Sequence, residues 1–353
     1  MILFVINIGA SSTKLAVYLG EQELTTQTIR HPSQELKDID GLWNQLDYRR
    51  RAVEQFLQKS GFSLTDFAAI VSRGPVVKPL KSGTYEINEA MLQDAKSGKY
   101  GMHPCGLGCQ IAYDIAKQHN IPAFTVDPPC VDEMIDVARI TGLPQIERVS
   151  FFQALNHKAK GREYAKSIGR TYEQLNLVIT HLGSGISVAS HEHGRVIDVT
   201  NGLHGDSPFG FDRVGTLPAK AWAEFCIKNK LTLEELKEII NGGGGTQAHL
   251  NANNAIEIET MIQNGDTHAE LIFRAMAFQV GKGIGAAAAA LSGKPDAIII
   301  TGGLAHSTRF MGHIKPMVEW MAPLYVNPDD NEVRSLAQGA ARALEQTNLI
   351  KQY

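Results

Sequence analysis

Two stretches of this chain open in the same way, and that restricts the fold more than any other feature. Asn7-Ile8-Gly9-Ala10-Ser11-Ser12 lies between two apolar runs, and so does His181-Leu182-Gly183-Ser184-Gly185. In each, a polar residue ends a run rich in Val, Ile and Leu, and glycine with small hydroxyl residues makes a tight turn. Main-chain N–H groups approach an anion closely where no Cβ intervenes, so such turns suit phosphate. One copy fits an ordinary hairpin turn equally well. Two copies, each opening a three-strand meander, point to an internal duplication.

The surrounding pattern repeats as well. Strands are expected at 2–6, 14–19 and 23–29, followed by helical spacing at 41–58, where Trp43, Leu46, Val53 and Leu57 share a face. A strand at 67–71, a helix at 107–119 and a strand at 122–126 complete the first half. The second half has strands at 177–182, 186–190 and 196–200, then helices at 217–228, 233–240 and 268–291. A strand at 297–301 and a helix at 332–345 close the chain. Meanders followed by alternating helices and strands indicate an α/β protein in two similar halves. The division is expected near 146–151, giving domains 1–149 and 150–353, with the last helix able to pack back on the first. A length of 353 residues suffices for a core in each.

Composition narrows the partners. A net charge of −3 offers no basic field for nucleic acid or an anionic membrane. The apolar start lacks a basic leader and reads as a buried first strand, and no apolar run reaches membrane-spanning length. Four cysteines in a chain this long make no disulfide framework, so a reducing, cytoplasmic setting is expected. His103, Cys105, Cys109 and Cys130 lack the second cysteine pair of a zinc site. His191-Glu192-His193-Gly194 reads as a solvated hairpin turn, and the glycines at 242–245 as either a mobile lid or a linker. No G-x-x-x-x-G-K-[ST] is present, because Gly293-Lys294 is followed by Pro295.

Ordered motifs run through the whole chain: NIGASSTK at 7–14, SRGPVVKPLKSGTYEIN at 72–88, TVDPPCVDEM at 125–134, FQALNHKAKGREYA at 152–165, ITHLGSGISVA at 179–189 and TGGLAHS at 301–307. With them the chain resembles the acetate and butyrate kinase family, most nearly its butyrate kinases, in the class that also holds actin, sugar kinases and heat-shock chaperone ATPases. That resemblance implies duplicated ribonuclease-H-like, actin-like ATPase domains with a nucleotide cleft between them. The carboxylate side is expected on the first domain and the nucleotide side on the second. It also implies ATP/ADP and Mg²⁺ as cofactors, and reversible transfer of the γ-phosphoryl group to butyrate or a branched relative to give an acyl phosphate. Acetate or propionate kinase is one alternative, and a non-catalytic actin-like nucleotide-binding regulator is another. A small-molecule carboxylate or acyl phosphate is the implied partner, with a homodimer or larger homo-oligomer as the assembly.

The resemblance also assigns residues. Asn7 matches the asparagine beside the transferred phosphate, with Ser11, Ser12 and Lys14 completing its loop. Arg73 matches the arginine for the substrate carboxylate, and Arg213 the second catalytic arginine. His157 lies where acetate kinases place a histidine for the γ-phosphate. His181, Gly183, Ser184 and Gly185 match the second phosphate loop, and Gly302 and Gly303 the adenosine loop. Asp127 and Glu332 match the carboxylates linked to Mg²⁺, although Glu332 also reads as the first-turn acid of the last helix. Pro75, Met102, His103, Asn156 and His204 fall near the acyl pocket. The first loop has Asn-Ile-Gly-Ala-Ser-Ser where Asn-Pro-Gly-Ser is commoner, and 204–213 also departs from the acetate kinase pattern, so the acyl group stays open.

Elementary chemistry agrees with these roles. A carboxylate is already ionised at neutral pH and needs no strong base to attack phosphorus. In-line positioning and charge neutralisation are what the transfer requires. Two planar guanidinium forks and hard oxygen ligands for Mg²⁺ provide that chemistry.

Overall fold

Strand β1, Ile2–Ile8, is apolar at almost every position, and Leu3 to Ile6 are fully buried. Near-continuous burial of this kind marks a strand covered on both faces. In the computed structural model, which describes residues 1–353, β1 is flanked by β2 (Ser12–Leu19), followed by β3 (Gln22–Arg30), in an antiparallel meander. On its other side β4 (Phe67–Arg73) runs parallel to β1, and β6 (Ala123–Val126) parallel to β4; β5 (Thr84–Glu86) pairs antiparallel with β6. A two-residue strand, Ile350–Lys351, extends the sheet beyond β5. β3 is polar and largely exposed, as an edge strand tolerates. Helices Cys105–His119 and Glu332–Glu345 both pack on β1 and β4. Phe4, Phe56 and Phe67 stack at the centre of this core.

The second sheet repeats the plan. β7 (Asn176–Leu182), β8 (Ile186–Glu192) and β9 (Arg195–Val199) form the meander, and β10 (Ala297–Thr301) and β11 (Leu324–Asn327) add in parallel beside β7. Strand order is β6-β4-β1-β2-β3 in one sheet and β11-β10-β7-β8-β9 in the other. The duplication read from the two turns therefore extends through five strands on each side. Helix Thr267–Ala290 buries Phe273, Met276, Val280 and Ile284 in the second core.

Two compact units result, Met1–Val131 with Asn331–Tyr353, and Asp132–Asp330. The second unit begins earlier than the expected division near 146–151, and the last helix packs back on the first unit as the expectation allowed. Residues 132–149 join the second unit because Ile135 N–H bonds to the Ile197 carbonyl at 3.0 Å and Arg148 pairs with Asp198 and Asp206. The last helix returns to the first unit because its apolar stripe, Val333, Leu336, Ala337 and Ala340, is buried there. β11 was not expected; its four positions are only half-buried, so its sequence lacks the strong apolar pattern of its neighbours. The helix Ala154–Ser167 was likewise unannounced, since it buries His157, Lys158 and Lys160 along with its apolar residues.

Candidate active site

Three parallel strands of the first unit end side by side. Register pairs Ile6 with Ser72 and Arg73 with Val126, so Asn7, Arg73 and Asp127 emerge at one carboxyl edge of the sheet. Open α/β sheets bind ligands at that edge. The last helix begins there too, and its first residue, Glu332, completes the group. Glu332 Oε2 accepts from Asn7 Nδ2 at 2.6 Å and lies 3.4 Å from Arg73 Nη1. Glu332 is thus both a first-turn acid and a member of the site. Asn7 Oδ1 is buried with no hydrogen-bond partner. Asp127 Oδ1 accepts from the Gly83 N–H at 2.7 Å, and the Asp127 backbone sits in the left-handed region at φ +40°. Non-glycine residues held there concentrate at functional positions.

The first turn is anchored from behind. Gly9 N–H closes it onto the Ser12 carbonyl at 2.9 Å, leaving Ser11 exposed and Ser12 half-buried, while Lys14 pairs with Asn7 across the β1–β2 ladder. Arg49, fully buried, donates to the carbonyls of Ala10 at 2.8 Å and Ser12 at 3.2 Å. No carboxylate pairs with it, and its Nε has no partner. Sequence reading missed Arg49, because a basic residue in an amphipathic helix is normally solvated.

Of the acyl-pocket residues, His103 belongs with this group. Burial, then the Arg73 charge, pushes its pKa down to about 4, against an opposing pull from Glu332. Its Nδ1 lies 3.0 Å from the Cys105 thiol, itself pushed up to about 12 by burial. Pro75 is buried, and Met102 is exposed beside Gly98. His204 belongs to the other unit, against Phe151 and Asn201.

In the second unit the turn at 183–185 links β7 to β8, and β7, β10 and β11 end together as β1, β4 and β6 do. His181 pairs with Thr301 in that register, and its Nε2 lies 3.8 Å from Asp330 Oδ2. Asn156 Nδ2 donates to Asp330 Oδ1 at 2.8 Å, which brings Asn156 to the same end of the sheet. Asp330 carried no motif and was not foreseen. Two glycines allow backbone segments to close on the turn. A Cβ at Gly210 would stand 2.4 Å from the Ser184 carbonyl, and one at Gly302 2.6 Å from that of Leu182. The first approach seats Arg213 near the turn, and the second seats Gly302 and the exposed Gly303 there.

Arg213 Nη1 lies 2.6 Å from Asp212 Oδ1, while its Nε is buried without a partner. The glycines at 242–245 support this segment: Gly242 N–H bonds to the Asp212 carbonyl at 2.8 Å and Thr246 N–H to that of Gly210 at 3.2 Å. Gly244 and Gly245 are packed against it, while Gly242 and Gly243 are exposed.

His157, expected at the γ-phosphate, is buried among side chains of the second unit. It is 0% exposed, and its ring nitrogens lie 2.9 Å from Ser187 Oγ and 3.3 Å from His191 Nε2. Burial, then His191, holds it neutral, with its pKa well below the ordinary value. His191 also differs from expectation: the hairpin turn falls at His193-Gly194, both at positive φ, while His191 still belongs to β8, a strand buried on both faces, and is 0% exposed.

Known proteins share this architecture. A family model described as the acetokinase family matches residues 146–341. A relative from Listeria monocytogenes named "probable butyrate kinase" is 44% identical over 348 residues, covering 99% of this chain and 98% of its own. Among solved structures, Porphyromonas gingivalis acetate kinase superposes with a TM-score of 0.76 at 16% identity, covering 96% of this chain and 98% of that one. A Francisella tularensis propionate kinase gives 0.75 at 17% identity with the same coverage. Those neighbours place the fold among the actin-like ATPases. On the family model and the full-length relative together, the chain belongs to the acetokinase family.

Proposed function

We propose that this protein is an ATP-dependent carboxylate kinase that phosphorylates butyrate or a branched four-carbon relative reversibly to the acyl phosphate. The grouping of Asn7, Arg73 and Glu332 at the carboxyl edge of the first sheet carries the reading. Arg73 offers a planar donor fork for a carboxylate or acyl phosphate. Asn7 presents an open amide oxygen and a fixed amide nitrogen where the first turn begins. In the second unit, the turn at 183–185 with His181 suits the nucleotide phosphates, Gly302 and Gly303 the adenosine, and Arg213 the developing phosphoryl charge.

Mg²⁺ takes one or two carboxylates and otherwise waters and phosphate oxygens. The donors present fit that habit: Asp127 and Glu332 are hard oxygen ligands at the same carboxyl edge as the unpartnered Asn7 Oδ1, and no group of three His, Cys, Asp or Glu converges into a closed cage. When bound, the ion neutralises charge on the transferring phosphate. Glu332 fixes Asn7 and Arg73 relative to one another, and Arg73 orients the acid. The substrate needs no deprotonation.

No helix is long and apolar enough to cross a membrane. Self-association as a homodimer or larger is part of the proposal, supported by exposed Ile256, Phe278 and Trp320. Each extra buried CH₂ contributes about 0.8 kcal/mol, so two favour butyrate over acetate by about tenfold to twentyfold. The test is kcat/KM for acetate, propionate, butyrate, isobutyrate and valerate at saturating MgATP. Equal or better turnover of acetate removes the chain-length claim, and no ADP release with any acid removes the kinase.

A further inference from the structure

Behind the turn at 183–185 runs a chain of side-chain hydrogen bonds with one direction throughout. Gln153 Nε2 lies 3.4 Å from the Gly185 carbonyl, and its Oε1 accepts from Ser187 Oγ at 2.6 Å. The single Ser187 proton is committed there, so its oxygen can only accept from His157 Nε2 at 2.9 Å. A neutral His157 with its proton on Nε2 has Nδ1 left as an acceptor for His191 Nε2–H, 3.3 Å away. His191 Nδ1 then accepts from the Tyr172 hydroxyl at 2.5 Å. Each link fixes the next. Burial holds both histidines neutral, as the sequence of donors requires.

Two observations set this apart from ordinary satisfaction of core polar groups. Gln153 occupies the N-cap position of helix Ala154–Ser167, yet its side chain makes no capping bond and turns to Ser187 and Gly185 instead. The chain also ends on the main chain of the turn itself. The N–H groups of Gly183, Ser184 and Gly185 make no turn hydrogen bonds, whereas Gly9 in the first turn does.

We propose that Gln153, Ser187 and His157 are positioning residues for nucleotide binding, their relay holding the Gly185 carbonyl inward so that the turn's N–H groups face the phosphates. This rests on reading the turn at 183–185 as a phosphate loop. On this reading His157 acts on phosphate through the loop.

Gln153→Leu removes both polar ends at a half-buried position, Gln153→Glu replaces the donor by an acceptor and adds a negative charge, and Ser187→Ala breaks the relay one bond deeper. MgADP affinity by calorimetry, KM for MgATP, KM for butyrate and Tm are measured for each. Losing one or two hydrogen bonds to the loop raises the MgADP Kd and the MgATP KM by about fivefold to twentyfold, with the butyrate KM within about twofold. Gln153→Glu should match or exceed Gln153→Leu. A purely structural role lowers Tm and leaves both KM values alone. Nucleotide affinity within about twofold of the parent in folded Gln153→Leu and Gln153→Glu overturns the inference, as does an equal rise in both KM values. If Ser187→Ala fails to fold, the Gln153 variants decide. If the parent itself does not bind MgADP, the phosphate-loop reading falls and takes the inference with it.

Discussion

Glu332 Oε2 accepts a 2.6 Å hydrogen bond from Asn7 Nδ2, joining the first strand of the chain to the first turn of its last long helix. Arg73 Nη1 lies 3.4 Å from the same oxygen. One carboxylate therefore sets the spacing of an amide and a guanidinium that the sequence carries far apart. Removing its charge should loosen both. Glu332→Gln and Arg73→Ala are each expected to lower kcat/KM for butyrate by at least about a hundredfold. Near-normal turnover in both folded variants would show that this group is not the catalytic one.

Arg213 lies next to the turn at 183–185 with its Nε buried and unpartnered. Arg213→Ala should reduce kcat by about a hundredfold or more and leave the butyrate KM nearly unchanged, the signature of a donor used in the transition state. Arg213→Lys should recover little, because a point charge does not reproduce the planar fork. Steady-state kinetics with both substrates varied check this; a pure rise in the butyrate KM contradicts it.

Activity should require Mg²⁺ or Mn²⁺ and vanish on EDTA treatment, returning when either ion is restored. Hard oxygen donors at Asp127 and Glu332 favour those ions. Asp127→Asn should raise the Mg²⁺ concentration for half-maximal activity by about tenfold. Undiminished turnover without free divalent ion defeats the assignment.

Five histidines have lowered pKa values in the fold, His204 by burial alone. His31 and His103 are lowered to about 4, chiefly by burial, and His157 and His191 lie well below their ordinary value for the same main reason. Their unfolded value, near 6.5, is the higher one, so the unfolded chain binds protons first as pH falls. The stability from keeping them neutral is complete above about pH 6.5 and declines below it. At pH 5.5 the fully buried His157 and His191 both cost stability, because the unfolded chain takes up their protons and the folded chain does not. Tm should fall by several degrees between pH 7 and pH 5.5, before most carboxylates titrate. A flat or rising Tm over that window contradicts the burial.

Arg49→Met keeps volume but strips donors from the Ala10 and Ser12 carbonyls. A loss of about 2–4 kcal/mol is expected, since buried acceptors are left unmet. Denaturant unfolding measures it, and unchanged stability would mean that the guanidinium contributes nothing to the turn.

Sequence by itself determined the duplication, both turns, and the strands whose carboxyl ends carry or precede Asn7, Arg73, Asp127 and His181. Local alternation, glycine placement and apolar runs encode those features, because each depends on residues a few positions apart. Tertiary packing decided the rest. It returned the last helix to the first unit and so brought Glu332 to Asn7, a contact between distant residues that no local pattern encodes. It buried His157 and His191 in a relay, since β8 is covered on both faces and its regular alternation puts Ser187 and His191 on the side of His157. It also placed Arg49 without a counter-charge behind the first turn, and Asp330 between His181 and Asn156. A polar side chain reads as solvated until the fold removes its water, and only the assembled sheets and helices show which ones lose it.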